Sequence, residues 1–541
     1  METKKEKVEM AVIRTREAKA ETKPVYRTYE DFDYNKLNLY AGLDCIATSR
    51  VLSKVFPRLV DRPEFIESIS GDTFNKVNLP ALIDVNEDVT LKALDYILDL
   101  EINGMRYDCE ENRRIHTRMT EEIGQLEDSV FKMIGKEIKY TSGVEMQKFL
   151  YGERGFTAPH MTTSGEPSTD GDALLILAGI DPKEPGNYVP IKEEYQYLAS
   201  LAKLKDIGSS HNMFIKNYID DFVDRDGRIR AKYNLYGTSS FRLTGDSPNF
   251  TQLPRPKHGY NIRDCYTADV GEVFLAFDFS SAEMKILACL SGDEAMKDAC
   301  VKGFDFHTFT ASTMLGVPYD DFKAILKDKN NKDNFRYKQL RQGAKAVGFG
   351  IVYGSSVRGI SLGLNISEDE AKALINLYFD RFPKVKTFIE ASHNQAKLNN
   401  VIVTPFGQRR QEYGTLPCFK KTAAYNAALR NSQNCAIQSP TSTLGLVTFA
   451  ELNIKGMKPL MGKALSTVYD SCEWTVPLAR AAEAVEAGFK YMNDWPMEFF
   501  PWMDVPIGVE CELGTSWGNA EVVHRGITQA EIVGIIQSLK S

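Results

Sequence analysis

The chain has little of what builds soft metal sites or covalent staples. Its nine cysteines are scattered and none forms a Cys-x2-Cys pair, which argues against a zinc ribbon or disulfide scaffold and for a reducing compartment. The seven histidines are scattered too, without a His-Glu-x2-His pair, and no Gly-x4-Gly-Lys-Ser/Thr phosphate loop occurs. A catalytic metal would therefore be held mainly by carboxylates, which implies a hard ion such as magnesium or manganese. No stretch is long and apolar enough to span a membrane. The opening METKKEKVEMAVIRTREAKAETK is basic but has no apolar centre, unlike a secretory signal, and reads as a charged leader over residues 1–24. Excess positive charge is absent as well: the net charge is −7. That is weak evidence against a nucleic-acid partner, because binding depends on where cations cluster.

What is present is length and periodicity. At 541 residues the chain exceeds an ordinary domain of roughly 100–200 residues, so several subdomains with their own cores are expected. The segment RQGAKAVGFGIVYG repeats Arg341, Lys345 and Phe349 every four residues, one slowly drifting stripe of a helix. Two cations and an aromatic on one face suit a triphosphate at one end and a flat base at the other. The same stripe also suits a solvated face with an aromatic anchor. EVFLAFDFS predicts a strand with Asp278 at its end, turning into the helix SAEMKILACL. ALSTVYDSCEWTV predicts two strands meeting in a hairpin with Asp470 at its tip. Two such aspartates could hold a metal pair; each is also an ordinary turn residue. Ser280 and Glu283 fit a capping box at the N-cap and N3. Arg430, Asn434 and Gln438 form a second polar series at spacing four, suited to the minor groove or to a wet helix face. Helices are expected over about 281–400, and a long helix near 420–438 is expected to end at Pro440. A sheet carrying acids, with a helical insertion carrying bases, is the simplest arrangement.

These pieces, in this order, resemble the family A DNA polymerases over roughly residues 85–525. DFSSAEMK (278–285) looks like the first palm motif, RQGAKAVGFGIVYG the fingers-helix motif, and VYDS (468–471) falls where the third motif should lie. SFRLTGDSPNFTQLP (240–254), the Arg-x3-Asn-x3-Gln series, LAKLKD (201–206) and FDFHTFTASTMLGVP (304–318) agree as well. The resemblance implies an α+β right-hand polymerase fold with an antiparallel-sheet palm and mostly helical thumb and fingers. Its expected divisions are the leader, an exonuclease-like remnant (25–80), thumb and start of palm (81–230), palm with the first metal motif (231–290), fingers (291–400), and palm with the second metal motif plus C-terminus (401–541).

The implied activity is that of a DNA-directed DNA polymerase, a nucleotidyltransferase adding dNTPs to a primer 3′-end in replication or repair. Asp278 and Asp470, helped by the Phe279 carbonyl, would bind two magnesium ions, with manganese as a substitute. Arg341, Lys345 and His307 would bind the triphosphate, and Lys345 would be the general acid to pyrophosphate. Phe349 would stack near sugar and base, Glu283 with Phe349 would crowd the 2′ position, and Tyr353 would sit beside the templating pair. Arg242, Asn249, Gln252, Arg430, Asn434 and Gln438 would hold the primer–template, with Tyr469 at the primer end.

The chain departs from the pattern in three places. Tyr469-Asp470-Ser471 replaces His-Asp-Glu, leaving Glu473 as the next acid. Thr251-Gln252 replaces Gln-Asn. Tyr40-x3-Asp44 resembles the last exonuclease motif, but no earlier Asp-x-Glu motif lies upstream, so no proofreading is expected from this chain. A separate exonuclease chain or a processivity factor is an expected partner, in the cytoplasm of a bacterial or phage-infected cell, with no membrane association. Two rivals remain. One is a single-subunit RNA polymerase, whose third motif reads His-Asp-Ser but which carries a small residue and a tyrosine where Glu283 and Phe349 stand. The other is a non-catalytic DNA-binding subunit.

Overall fold

The Val-Phe-Leu-Ala-Phe run after Glu272 is apolar at nearly every position, the pattern of a strand buried on both faces. In the computed structural model it is strand β1 (Glu272–Phe279), with Val273, Phe274, Leu275, Phe277 and Phe279 all buried. The structure describes residues 86–540 except 163, 183–188, 236, 239, 329, 365 and 412–421. The expected leader and exonuclease-like remnant, with Tyr40 and Asp44, lie outside the described residues.

Four further strands complete a sheet: β2 (Lys463–Val468), β3 (Ser471–Pro477), β4 (Val509–Gly514) and β5 (Ala520–Val523). Their order is β5-β4-β1-β3-β2, and every neighbouring pair is antiparallel. The register sets Asp278 directly opposite Ser471 of β3 and Glu510 of β4. Ala276, two residues back, lies opposite Glu473 and Glu512. Cross-strand partners share a face, so one end of this sheet collects acids.

Among the helices before the sheet are α1 (Lys92–Asn103), α2 (Cys109–Ile134) and α3 (Gln196–Phe214). On α1, Tyr96 is fully buried and stacks on Trp474 of β3 with centroids 5.8 Å apart. Helix α2 starts at Asp108, which accepts from the N–H groups of Glu110 and Glu111, and stops at Gly135 in the left-handed region. It packs on α3 around Val130, Ile134, Leu198 and Leu201.

After β1 the chain enters α4 (Ala282–Ser291). The expected capping box does not form. Ser280 stays with the sheet, its N–H bonded to the Gly508 carbonyl. Ser281 precedes the helix at φ 56° and makes no side-chain cap. Glu283 is pulled away by stronger partners, described below. Helices α5 (Phe306–Leu315) and α6 (Asn334–Val352) pack against each other within the expected helical region.

Helix α7 (Ala423–Glu451) corrects a second expectation, because it runs straight through Pro440. An internal proline costs about 3 kcal/mol. Beyond it Leu444, Val447, Phe449 and Ala450 are all buried, and each large apolar side chain returns about 1.5–3 kcal/mol. Burial outweighs the local breaker.

Gly354 closes α6 at φ 67°, and a Cβ there would stand 3.0 Å from Cγ of Arg430 and 3.3 Å from its Cα. Both the backbone conformation and the approach of α7 require glycine. Gly354→Ala is expected to destabilise the fold by about 1–3 kcal/mol, read as a lower melting temperature.

Candidate active site

Asp278 and Asp470 come from chain segments far apart in sequence and meet at the end of the sheet. The β2–β3 hairpin closes through Tyr469 and Asp470 alone, with Tyr469 at φ 59°, a conformation tight hairpins usually give to glycine or asparagine. The Phe279 N–H donates to the Asp470 carbonyl at 3.1 Å, which ties the tip to the end of β1. The predicted strand end and hairpin tip are therefore both observed.

The electrostatics at this point are unfavourable for bare carboxylates. Although the Asp278 side chain is exposed, partial desolvation of its carboxyl against the sheet end, then the charges of Asp470, Glu473, Glu510 and Glu512, push it up to about 7. Burial also raises Asp470, against the pull of Arg242. Among the described residues no side chain or N–H donates to the Asp278 carboxylate, and no set of three acidic, histidine or cysteine side chains forms a metal cage. The two carboxylates are hard oxygen donors of the kind a divalent cation takes, with its remaining ligands left to water or substrate.

This crowding has a consequence for stability. A carboxyl raised in the folded state stabilises below its unfolded value of about 3.9, and that contribution is lost as pH rises through about 7. Asp278→Asn should therefore melt higher than wild type at pH 8 in chelator, with the gap closing near pH 4. Solvent reaches Asp278 and screens the repulsion, so the gain is about 1–2 kcal/mol rather than the full shift. Added magnesium should raise the wild-type melting point and leave the variant's nearly unmoved. A variant that melts lower at pH 8 would contradict the charge crowding.

Where the third motif lacks its second acid, Ser471 stands opposite Asp278. Glu473 lies one pairing step deeper, buried, accepting from the hydroxyls of Ser466 (2.7 Å) and Ser471 (3.0 Å).

Beside the aspartates a cleft of about 300 Å³ is lined by Arg242, Glu283, Phe349, Tyr353, Thr441, Tyr469 and Asp470. Glu283 accepts from Arg242 through one oxygen and from the Tyr353 hydroxyl, at 2.8 Å, through the other. Burial raises its carboxyl; these two partners act against that. Burial and Glu283 push the Tyr353 phenol up to about 12. Its ring stacks on Phe349 with centroids 5.8 Å apart, and Arg242 lies over the Tyr469 ring at 5.2 Å.

The predicted stripe on α6 is real. Arg341, Lys345 and Phe349 are part-exposed, while Ala344, Val347, Gly348 and Ile351 face the core. His307 on α5 completes the group, its ring centroid 5.2 Å from that of Phe349. Burial, with Arg341 and Lys345 nearby, drops its imidazole to about 4 despite Asp305, so it is neutral at pH 7. Lys345 Nζ lies 5.8 Å from the Phe349 centroid.

Other predicted residues are placed differently. Asn249 caps a short turn, its side-chain oxygen accepting from the Thr251 N–H (3.0 Å) and hydroxyl (2.6 Å), and Gln252 lies within that turn. Asn434, with its amide nitrogen turned to α6, donates to the Val352 and Tyr353 carbonyls at 3.2 and 3.1 Å. It therefore secures the end of α6 together with Gln433, which donates to the Ile351 carbonyl. Arg430 is exposed and Gln438 part-exposed on the same helix. The structure adds Gln433, Asp305, Glu510 and Glu512, which sequence reasoning missed. Only Asp305 carried a signal, an N-cap aspartate three residues before Thr308.

A family model for DNA polymerase family A matches residues 109–519. "DNA polymerase I, thermostable" of Thermus filiformis is 29% identical over 483 residues, covering 88% of this chain and 51% of that protein. The protein of that description from Thermus aquaticus is 30% identical over 428 residues, covering 78% and 47%. The chain thus spans about half the length of the curated relatives it matches. Among solved structures, the POL domain of Pol1 from M. smegmatis, in complex with DNA primer-template and dNTP, is similar with a TM-score of 0.70. It is 24% identical, and the match covers 86% of this chain and 81% of that one. The observed α+β fold is thus that of a right-hand polymerase. Among the described residues no helix is long and apolar enough to cross a membrane.

Proposed function

The chain belongs to DNA polymerase family A, and from that premise we propose that it is a template-directed DNA polymerase adding dNTPs to a primer 3′-end. The observation that carries this is the meeting of Asp278 and Asp470 at adjacent strand ends, beside a cleft walled by the Phe349–Tyr353 end of α6. On this reading residues 81–230 supply the thumb and the start of the palm, 231–290 and 401–541 the rest of the palm, and 291–400 the fingers.

Asp278, Asp470 and the Phe279 carbonyl would hold two magnesium ions, or manganese in their place. When bound, such ions lower the charge of the phosphates and favour an ionised attacking oxygen. The chain's own residues do the rest, chiefly by positioning. Arg341 grips phosphate oxygens as a planar fork and Lys345 as a mobile point charge. Neutral His307 offers one ring N–H without adding charge. The primer 3′-hydroxyl gives up its proton to solvent, and its oxygen forms a bond to the α-phosphorus while the bond to the bridging oxygen breaks. Lys345 gives a proton to the departing pyrophosphate. Phe349 packs on the incoming base and sugar, and Glu283, fixed from both sides, walls off the 2′ position. Arg242 and Tyr469 meet the primer end, and Arg430 and Gln438 face the minor groove.

The test is templated primer extension by the purified chain with magnesium or manganese, comparing dNTPs with NTPs. Extension with dNTPs is expected. Preference for NTPs would replace the reading with an RNA polymerase, and no extension with either metal would favour a DNA-binding subunit.

A further inference from the structure

Arg341 does not stand free on its stripe. Its Nε donates to Asp305 Oδ2 at 2.8 Å and its Nη2 to Asp305 Oδ1 at 3.1 Å, a two-point grip along one edge of the guanidinium. Nε also lies 3.1 Å from the Thr308 hydroxyl. Nη1 makes no hydrogen bond among the described residues.

Asp305 is itself firmly held. Its Oδ2 accepts from the Thr308 N–H at 2.9 Å, as N-cap of α5, and from the Thr308 hydroxyl. Its own N–H donates to the Tyr319 hydroxyl at 3.0 Å, and the Tyr319 ring stacks on Phe304 at 3.9 Å. A cap alone would need only one carboxylate oxygen. The second oxygen is spent entirely on Arg341, from an element 36 residues away in sequence.

We propose that Asp305 is a positioning residue for the triphosphate: by gripping the Nε–Nη2 edge of Arg341 it turns the Nη1 edge toward the phosphates. The inference rests on the polymerase reading above. A carboxylate beside a phosphate-binding arginine weakens the arginine's net attraction for the anion. It helps only if the orientation gained outweighs the charge lost. An arginine on a flexible stem loses rotamer freedom when it binds, and the grip of the Asp305 carboxylate supplies that ordering beforehand. Thr308 and Tyr319 keep the grip in one geometry.

Asp305→Asn separates the two roles, because asparagine caps a helix as well as aspartate does, but one of its two arms is an NH2 donor that cannot accept from the guanidinium, so the two-point grip is lost. The expected result is a rise of about tenfold in KM for dNTP with a smaller change in kcat, and an almost unchanged melting temperature. In the double variant with Arg341→Ala, the penalty should be no larger than for Arg341→Ala alone, since the two act as a unit. An unchanged or lower KM overturns the proposal, and so do fully additive penalties. If Asp305→Asn does not fold, Arg341→Lys decides: it keeps the charge but loses the gripped edge, and an unchanged KM overturns the proposal. Failure of the wild-type chain to incorporate dNTPs would instead overturn the polymerase reading, so the two failures are distinct.

Discussion

Asp470→Ala should reduce templated primer extension by about a thousandfold or more, the scale of several kcal/mol of lost charge stabilisation at the reacting phosphate. The same variant should remain folded. Burial raises the Asp470 carboxyl above its ordinary value, so its ionised form opposes folding at neutral pH and its removal relieves that cost. The contact that ties the hairpin tip to β1 uses the Asp470 backbone carbonyl, which alanine retains. Loss of extension without loss of melting temperature or primer–template binding therefore isolates chemistry from structure. The measurement is extension rate alongside thermal melting and DNA binding. Activity within tenfold of wild type would sink the two-metal assignment, and with it the main argument for catalysis.

The local pieces of this site were legible in the sequence because each rests on short-range periodicity. A continuous apolar run ending in Asp278 reads as a buried strand, two strand-like runs meeting at Asp470 read as a hairpin, and four-residue spacing reads as the stripe on α6. What was hidden depends on partners distant in sequence. Nothing local says that β1 sits between β3 and β4, yet that order stacks Glu473, Glu510 and Glu512 beside Asp278. The Ser280–Glu283 spacing matched a cap, but Arg242, 41 residues earlier, and Tyr353, 70 later, claim Glu283. Asn434 followed the spacing of a groove-facing series and turns instead to the carbonyls closing α6. Pro440 was misjudged because the breaker is local and the burial that overrides it is tertiary. The missing acid of the third motif finds its physical answer in the register: Ser471 takes the place opposite Asp278, and Glu473 sits one step behind with two serine hydroxyls on it.

Glu283→Ala should lower the preference for dNTPs over NTPs by about a hundredfold, the range over which a pocket wall can reject one added hydroxyl. A wall discriminates only as far as it refuses to move. Glu283 is held by a guanidinium on one oxygen and a phenol on the other, and the phenol's ring is stacked on Phe349. The carboxylate cannot swing aside without stranding both donors in a largely buried place, a cost of about 1–3 kcal/mol for each. Truncation to alanine removes the wall outright, so NTP incorporation should rise while dNTP incorporation falls less. Tyr353→Phe makes the complementary change. It keeps the ring and the stack but frees one side of Glu283, so its effect on selectivity should lie between wild type and Glu283→Ala. Single-nucleotide insertion, with kcat/KM compared for each dNTP and its ribose counterpart, reads both variants. If Glu283→Ala leaves the ratio unchanged, the 2′ position is policed elsewhere in the cleft. If Tyr353→Phe matches wild type, the wall stands on Arg242 alone.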